Sequence, residues 1–468
     1  NFTIDGSMDH QAFKVLAGIR NEPIHFKLDA DGSLAGEWPA VKFNLVIDSL
    51  KPAGLNLTDR NIIYRGNLSG NFRSVNPDSL DGNLYVTRSL LVDSATRFSI
   101  DTISLAAAVT DTGQVIALNS SLINAKMYGR FKLTETGKIF QKTIDPYFNI
   151  IPDSVSLDSS YDFRIAATIA NFNQWKILAP ELKQLDTVQL DGHFSGNGNV
   201  QARFTAPAVT YGANQVQGLV ITAENSNNAL QVRSSLSKFN MGNSLAIYNT
   251  NLDADLANNN IDFAVNTRDK GDTTNYHIEG SFALLPNKSY QFSLKPDSLL
   301  LNKEKWNITA GNKIIIDTNN IIAEDFNLSQ NGQSLQIATL REQPRQPLDV
   351  NFSKFRIGTL LSFIKPDTAI ADGELNGKVT LHNLTKDMTF VGDLTINNAS
   401  VNKDTLGDLR VLVSNPQQNN YEADITLTGQ GNDVNLKGNY LINPGTNGTF
   451  KARLDLRTLQ MKSMDGLT

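Results

Sequence analysis

The chain has 468 residues, no cysteine, and 42 basic against 47 acidic side chains, a formal charge of −5. The lack of cysteine removes disulfides, thiolate metal sites and cysteine nucleophiles. A weakly acidic chain without a basic run lacks the concentrated positive face that nucleic acid requires, and no stretch approaches the roughly 18 apolar residues of a membrane helix.

Taken in chain order, Phe13, Leu16, Ala17 and Arg20 fall at helical spacing and predict a short amphipathic helix. Asp31-Gly-Ser-Leu-Ala-Gly36 follows, and then Val41, Phe43, Leu45 and Ile47 alternate with polar residues as a strand. Pro77-Asp-Ser marks a turn, and similar Pro-Asp-Ser/Thr turns recur at Pro152, Pro296 and Pro366. The next clear strand run is Ile123, Ala125, Met127, Gly129, Phe131 and Leu133. Ile139, Phe140, Thr143 and Ile144 predict a helix stopped by Pro146, and Phe172, Trp175, Leu178, Leu182 and Leu185 a second one broken at Pro180.

Asp191-Gly-His-Phe-Ser-Gly196 comes next, followed by strand runs at Ile261, Phe263 and Val265 and at Tyr276, Ile278, Gly280, Phe282 and Leu284. Ile357, Leu360, Leu361 and Ile364 form a full helical stripe ended by Pro366, ahead of Asp372-Gly-Glu-Leu-Asn-Gly377. A last run holds Val434, Leu436, Gly438, Tyr440 and Ile442. One oily and one wet face per strand is the pattern of antiparallel sheet with a single buried face, and the helices are too few to cover it.

The three hexapeptides lie 18, 19 and 17 residues after Phe13, Phe172 and Phe355. A recurring unit of helix followed by strand predicts stacked modules, placed at 1–170, 171–354 and 355–468, forming one extended β-rich body. Periodicity leaves two ways to cover the apolar faces: paired sheets with dry cores, or one long sheet whose oily face lines a trough.

No arrangement of residues predicts catalysis, so the chain reads as a non-enzyme without cofactor or metal. His10, His25, His193, His277 and His382 are dispersed, and His193 aligns with Ser33 and Glu374 in the other hexapeptides. Gly196-Asn-Gly-Asn199 has no Lys-Ser/Thr after it and reads as a strand turn. Asp29-Ala-Asp31-Gly32 hints at calcium, but Lys27 stands at the first ligand position and no glutamate closes the loop. Trp38, Trp175 and Trp306 are scattered and read as packing residues rather than a sugar platform.

The segment Phe355–Leu384, with Phe390–Val401 and the Leu-Gly-Asp-Leu turn at 406–409, resembles the TamB-like translocation and assembly module proteins of the AsmA-like superfamily. Trp175–Gly218 and Phe13–Leu45 are similar to it in outline, and Leu122–Phe140 resembles Bacteroidota members. The resemblance implies an all-β, elongated antiparallel β-taco or β-groove with a few short helices. It further implies that the groove conducts phospholipid acyl chains across the Gram-negative periplasm. The full-length protein would then have an inner-membrane anchor and reach outer-membrane assembly machinery, both through regions outside this chain, which opens at Asn1 without a leader and reads as a middle section. The groove lining expected is Val41, Phe43, Leu45, Ile47, Ile123, Met127, Phe131, Leu133, Ile261, Phe263, Val265, Tyr276, Ile278, Phe282, Leu284, Val434, Leu436, Tyr440 and Ile442. The competing expectation is a structural or adhesive β-repeat protein of the cell surface with dry sandwich cores.

Overall fold

A computed structural model describes residues 1–93, 96–149, 160–171, 175–196, 198–226, 228–242, 245–340, 347–362, 371–402, 404–442 and 448–460. The protein is all-β. Helices among these residues are limited to Thr136–Ile144, Trp175–Leu178, Ile357–Ser362 and three single 3-10 turns. The chain divides by packing into two compact units, Asn1–Ser237 and Lys238–Thr468. The three modules at 1–170, 171–354 and 355–468 are a division by motif.

The first unit is an open antiparallel sheet in which most strands join their neighbours in sequence; Leu182–Leu185 instead pairs with Val200–Tyr211. Phe2–Asp9 pairs with Ala12–Arg20, then come Ile24–Ser33, Ala40–Leu50, Ile62–Ser74 and Asp81–Asp93. The last of these pairs with both Thr96–Ile100 and Ile103–Thr110. Gly113–Asn119, Ile123–Arg130, Asp162–Ile169, Val188–Ser195, Val200–Tyr211 and Asn214–Ser226 continue the sheet.

The second unit begins as a meander, Leu245–Ala257 to Asn260–Arg268 to Thr274–Leu284, and then forks. Gly280–Leu284 pairs with Tyr290–Leu294, which leads to Lys313–Ile316 and Ile321–Glu324. His277 pairs with Leu300, and that branch passes through Glu304–Ile308 to Phe326–Gln330. From there a second meander runs through Gln333–Thr339, Leu348–Arg356, Ala371–His382, Thr389–Val401, Asp404–Gln417, Asn420–Gly429, Asn432–Leu441 and Thr449–Thr458.

Several expectations need correction. The helix expected at Phe13, Leu16, Ala17 and Arg20 is the strand Ala12–Arg20. Phe13, Val15, Ala17 and Ile19 also alternate, and hydrogen-bonded strands on both sides outweigh one turn of helical spacing. Of the second stripe only Trp175–Leu178 is helical. Leu182–Leu185 is a strand beyond Pro180, and Phe172 lies outside the described residues. The hexapeptides share no common placement: Asp31 falls near the end of a strand, Asp191 in the middle of one and Asp372 at the head of one. The helix expected before Pro146 forms as Thr136–Ile144, and that at Ile357 as Ile357–Ser362, with Ile364 outside the described residues. Pro77 opens a 3-10 turn capped by Asn76 Oδ1, 2.9 Å from the Asp78 amide. Pro152 and Pro366 lie outside the described residues.

Candidate functional site

In an antiparallel pair, residues directly opposite share one face, so register converts strand alternation into rows across the sheet. In the first unit one row reads Val15, Ala30, Phe43, Gly70, Leu84 and Leu105. It continues through Leu118, Ala125, Ala167, Leu190, Phe204 and Ile221. No polar side chain interrupts it. A parallel row two residues along carries Phe13, Gly32, Val41, Phe72, Gly82, Ala107, Ile116, Met127 and Ile165.

The opposite face is charged. Lys14, Asp31 and Lys42 stand opposite one another in turn, as do Asp191 and Arg203. The Asp29-Ala-Asp31 sequence therefore lies in the strand Ile24–Ser33, with Asp31 between two lysines.

The second unit repeats this division. One row runs Leu335, Phe352, Gly377, Leu394, Val411, Ile425, Leu436 and Leu454, and a second runs Phe355, Leu375, Ile396, Leu409, Leu427, Val434 and Leu456. On the other face Asp393 pairs with Arg410 at 3.2 Å and Asp424 with Lys437 at 2.9 Å. Lys437 donates to Asp424, as does Asn435 Nδ2 at 2.7 Å, and together they hold that carboxyl below its ordinary range.

Most large residues on the apolar rows are neither sealed nor flat on the surface, apart from Phe355 and Leu375, which are buried, and Leu454 and Leu456, which are exposed. Val15, Phe43, Leu84, Leu105, Leu118, Leu190, Phe204 and Ile221 are all half-buried, and so are Leu394, Val411, Ile425 and Leu436. In a dry sandwich the inner faces interdigitate and their side chains lose solvent entirely. Away from the core that takes in Phe355 and Leu375, these rows keep partial access.

Two regions are closed. At the fork of the second unit Trp306, 1% exposed, joins Tyr276, Leu299, Leu301, Ile308, Phe326, Leu328, Phe355 and Leu375 in a core flanked by Phe292 and Ile314 of the other branch. In the first unit the helix Thr136–Ile144 lies on an aromatic group at the edge of the apolar face. The Phe140 and Phe194 rings meet edge-on with centroids 4.9 Å apart, Phe163 stacks on Phe194 at 5.5 Å, and Ile139 is fully buried. A recess of about 280 Å³ beside this helix is lined by Gln114, Arg130, Phe131, Ile139 and Tyr161. Recesses on the polar face, such as one of about 810 Å³ that includes Asp393, Asp424, Lys437 and Arg453, are walled by opposite charges and offer an apolar ligand little.

By register and burial, most of the expected lining residues fall on apolar strand faces or beside them. Val41, Phe43, Leu45 and Ile47 share one face with Gly32, Ala30, Leu28 and Phe26. Ile123 and Met127 oppose Ile169 and Ile165. Ile261, Phe263 and Val265 oppose Phe282, Gly280 and Ile278, and Leu284 opposes Tyr290. Val434 and Leu436 oppose Leu456 and Leu454. Tyr440 and Ile442 sit at the exposed end of their run, Tyr440 opposite Tyr421 and Phe450. Phe131 is buried just past its strand, 5.6 Å from Phe163. Tyr276 belongs to the closed core. Leu133 is exposed in the 3-10 turn Leu133–Glu135, because its strand stops at Arg130.

Sequence reasoning passed over the rows through Leu335, Leu394, Val411 and Ile425 and the last strand. Alternation at Phe450, Ala452, Leu454 and Leu456 would have revealed that strand. Trp306 packs in the core, Trp175 Nε1 donates to the Ala170 carbonyl at 3.0 Å, and Trp38 is exposed. The histidines are dispersed, each of the four nearest a carboxylate having a different one: His10 with Asp9, His25 with Asp48, His193 with Asp162 and His277 with Glu279. Among the described residues no three His, Asp or Glu side chains gather where they could hold a metal ion. Compared with known proteins, the chain matches no family model, and neither a curated protein nor a solved structure is significantly similar to it.

Proposed function

We propose that the half-buried apolar rows are a conduit for phospholipid acyl chains, and that the chain is a periplasmic section of a TamB-like bridge serving the outer membrane of a Gram-negative bacterium. The observation that carries this reading is the uninterrupted apolar row from Val15 to Ile221, matched by that from Leu335 to Leu454. Moving an acyl chain through water costs about 0.8 kcal/mol per methylene, so two ordinary chains cost on the order of 20 kcal/mol. Unbroken rows of Leu, Ile, Val and Phe remove most of that cost at each step while binding no point on the path more tightly than the next. The conduit is passive in this reading, and its inner-membrane anchor and outer-membrane partners belong to other parts of the full-length protein.

The sealed core around Trp306 favours the second reading, a structural β-repeat protein, for that part of the chain alone. Lipid extraction and native mass spectrometry of the chain, expressed in a Gram-negative host and purified without detergent, decide between the two. Copurifying phospholipid is expected. Lipid-free protein that also fails to take up a fluorescent fatty acid would refute the conduit.

A further inference from the structure

A polar side chain is buried on the apolar face of the first unit, where alternation calls for an oily one. Register places Gln114 in a row with Val109, Gly129, Phe163, Phe194 and Val200, two residues from Ile116 of the neighbouring apolar row. Gln114 is 4% exposed. Its Nε2 donates to the Phe131 carbonyl at 2.6 Å, while its Oε1 is buried without a hydrogen-bond partner among the described residues. A buried acceptor left unmatched is costly, and native folds keep one where a ligand or a water meets it.

That side chain lines the recess of about 280 Å³ beside the helix Thr136–Ile144. A water's share of the liquid is about 30 Å³, so the recess has room for about nine non-hydrogen atoms. Its walls are apolar at Val109, Phe131 and Ile139, and Gly129, directly opposite Gln114, brings no side chain. The charges around it balance, Asp78 and Glu135 against Arg130 and Lys132. Asp78 accepts from the Thr134 amide at 2.9 Å and from its hydroxyl at 2.7 Å, and Glu135 pairs with Lys132 at 3.4 Å. Both carboxylates are therefore engaged, and no net charge draws an ion. Burial pushes the Tyr161 phenol up, so that wall is neutral as well.

We infer that this recess binds a neutral molecule with a hydroxyl head and an apolar body, the hydroxyl donating to Gln114 Oε1 and the body lying against Phe131 and Ile139. An ammonium head reaches the same acceptor but gives up its hydration with no free counter-charge to replace it. An ionised carboxylate has no donor and sets lone pair against lone pair. The hydroxyl is that of a free alcohol or of the glycerol head of a neutral lipid. The site stands on Gln114 and the recess alone and holds whether or not the apolar rows conduct acyl chains. A failure of fatty-acid uptake therefore bears on the conduit and not on this site.

Calorimetric titration of the whole chain with 1-octanol and with octyl methyl ether tests the site. The alcohol is expected to bind about tenfold more tightly, because one hydrogen bond to a buried acceptor separates the two. Gln114→Met, which keeps the length and removes the acceptor, should abolish that preference. It also loses the bond to the Phe131 carbonyl, so Val109→Trp is the second variant. Val109 is 53% exposed, and an indole there should fill the recess and weaken octanol binding about tenfold with the urea midpoint unchanged. Phosphatidylcholine vesicles with and without diacylglycerol separate the two sources. Wild-type protein that sediments only with the diacylglycerol vesicles, and Val109→Trp protein that does not, assigns a neutral lipid; octanol binding without vesicle retention assigns a soluble alcohol. Equal affinity for alcohol and ether, binding of neither, or an octanol preference that survives both variants would overturn the inference.

Discussion

Leu436→Arg and Leu412→Arg make the same chemical change on opposite faces of the same sheet. Leu436 is half-buried between Ile425 and Leu454 on the apolar face. Leu412 is 36% exposed on the polar face, opposite Asp393 and Asp424. Full burial of a leucine is worth about 1.5–3 kcal/mol, so removing a half-buried one costs about 1 kcal/mol, and the arginine stem recovers part of that by lying along the row. The same substitution in a sealed core strands a charge and costs several kcal/mol. Leu412→Arg gains two opposed carboxylates at the surface, worth at most about 1 kcal/mol.

Urea denaturation of both variants is therefore expected to show Leu436→Arg lower by about 1 kcal/mol and Leu412→Arg unchanged within about 0.5 kcal/mol. If the apolar row is the conduit proposed, fatty-acid uptake should fall sharply in Leu436→Arg alone, because the guanidinium would sit in the path of the chains. Loss of about 4 kcal/mol or more in Leu436→Arg would mean a dry core and refute the partial access argued for this face. Equal uptake by the two variants would refute the assignment of faces to function.

Trp306→Ala, in the sealed core, should cost about 3–5 kcal/mol and raise hydrogen exchange at Tyr276, Leu299 and Phe355, with exchange in residues 1–237 unaffected. Ile139→Ala should cost about 2–4 kcal/mol and expose Phe163 and Phe194, read out as faster exchange in Asp162–Ile169 and Val188–Ser195; an unchanged pattern would place the helix off the sheet. Gly70→Val should destabilise the first unit by about 1–3 kcal/mol, because a side chain there overlaps the Phe43 ring on the neighbouring strand. The Asp424 carboxyl, held below its ordinary range by Lys437 and Asn435, stabilises the fold above the ordinary carboxylate pKa. That contribution is lost as pH falls through the depressed folded value, so wild type and Lys437→Gln should differ in urea midpoint at neutral pH and converge in acid.

Alternation was legible wherever the two faces of a strand differ, as at Val41–Ile47 and Ile261–Val265. It misled at Phe13–Arg20, where Leu16 on the polar face mimics a helical stripe that only the flanking strands override. At Leu133 the alternation outlasts the strand by three residues, because Lys132 and Thr134 keep the pattern while the chain turns. Pro146 signalled the end of the helix Thr136–Ile144, since a missing amide ends a helix regardless of tertiary context. The fork at Thr274–Leu284 was not legible. Which half of that strand meets Tyr290–Leu294 and which meets Leu299–Leu301 depends on how the core around Trp306 fills, and that is a matter of three-dimensional volume.

The succession of strands within each meander has a consequence for how the chain acquires its structure. Almost every strand finds its partner in the segment just made or about to be made, so little loop entropy stands in the way of each addition. A polypeptide that emerges end-first as it is made appears in the order in which its hairpins close, and each closed hairpin is the template for the next. Within each meander such a chain can be zipped up as it arrives, with few early segments left waiting for a partner not yet made.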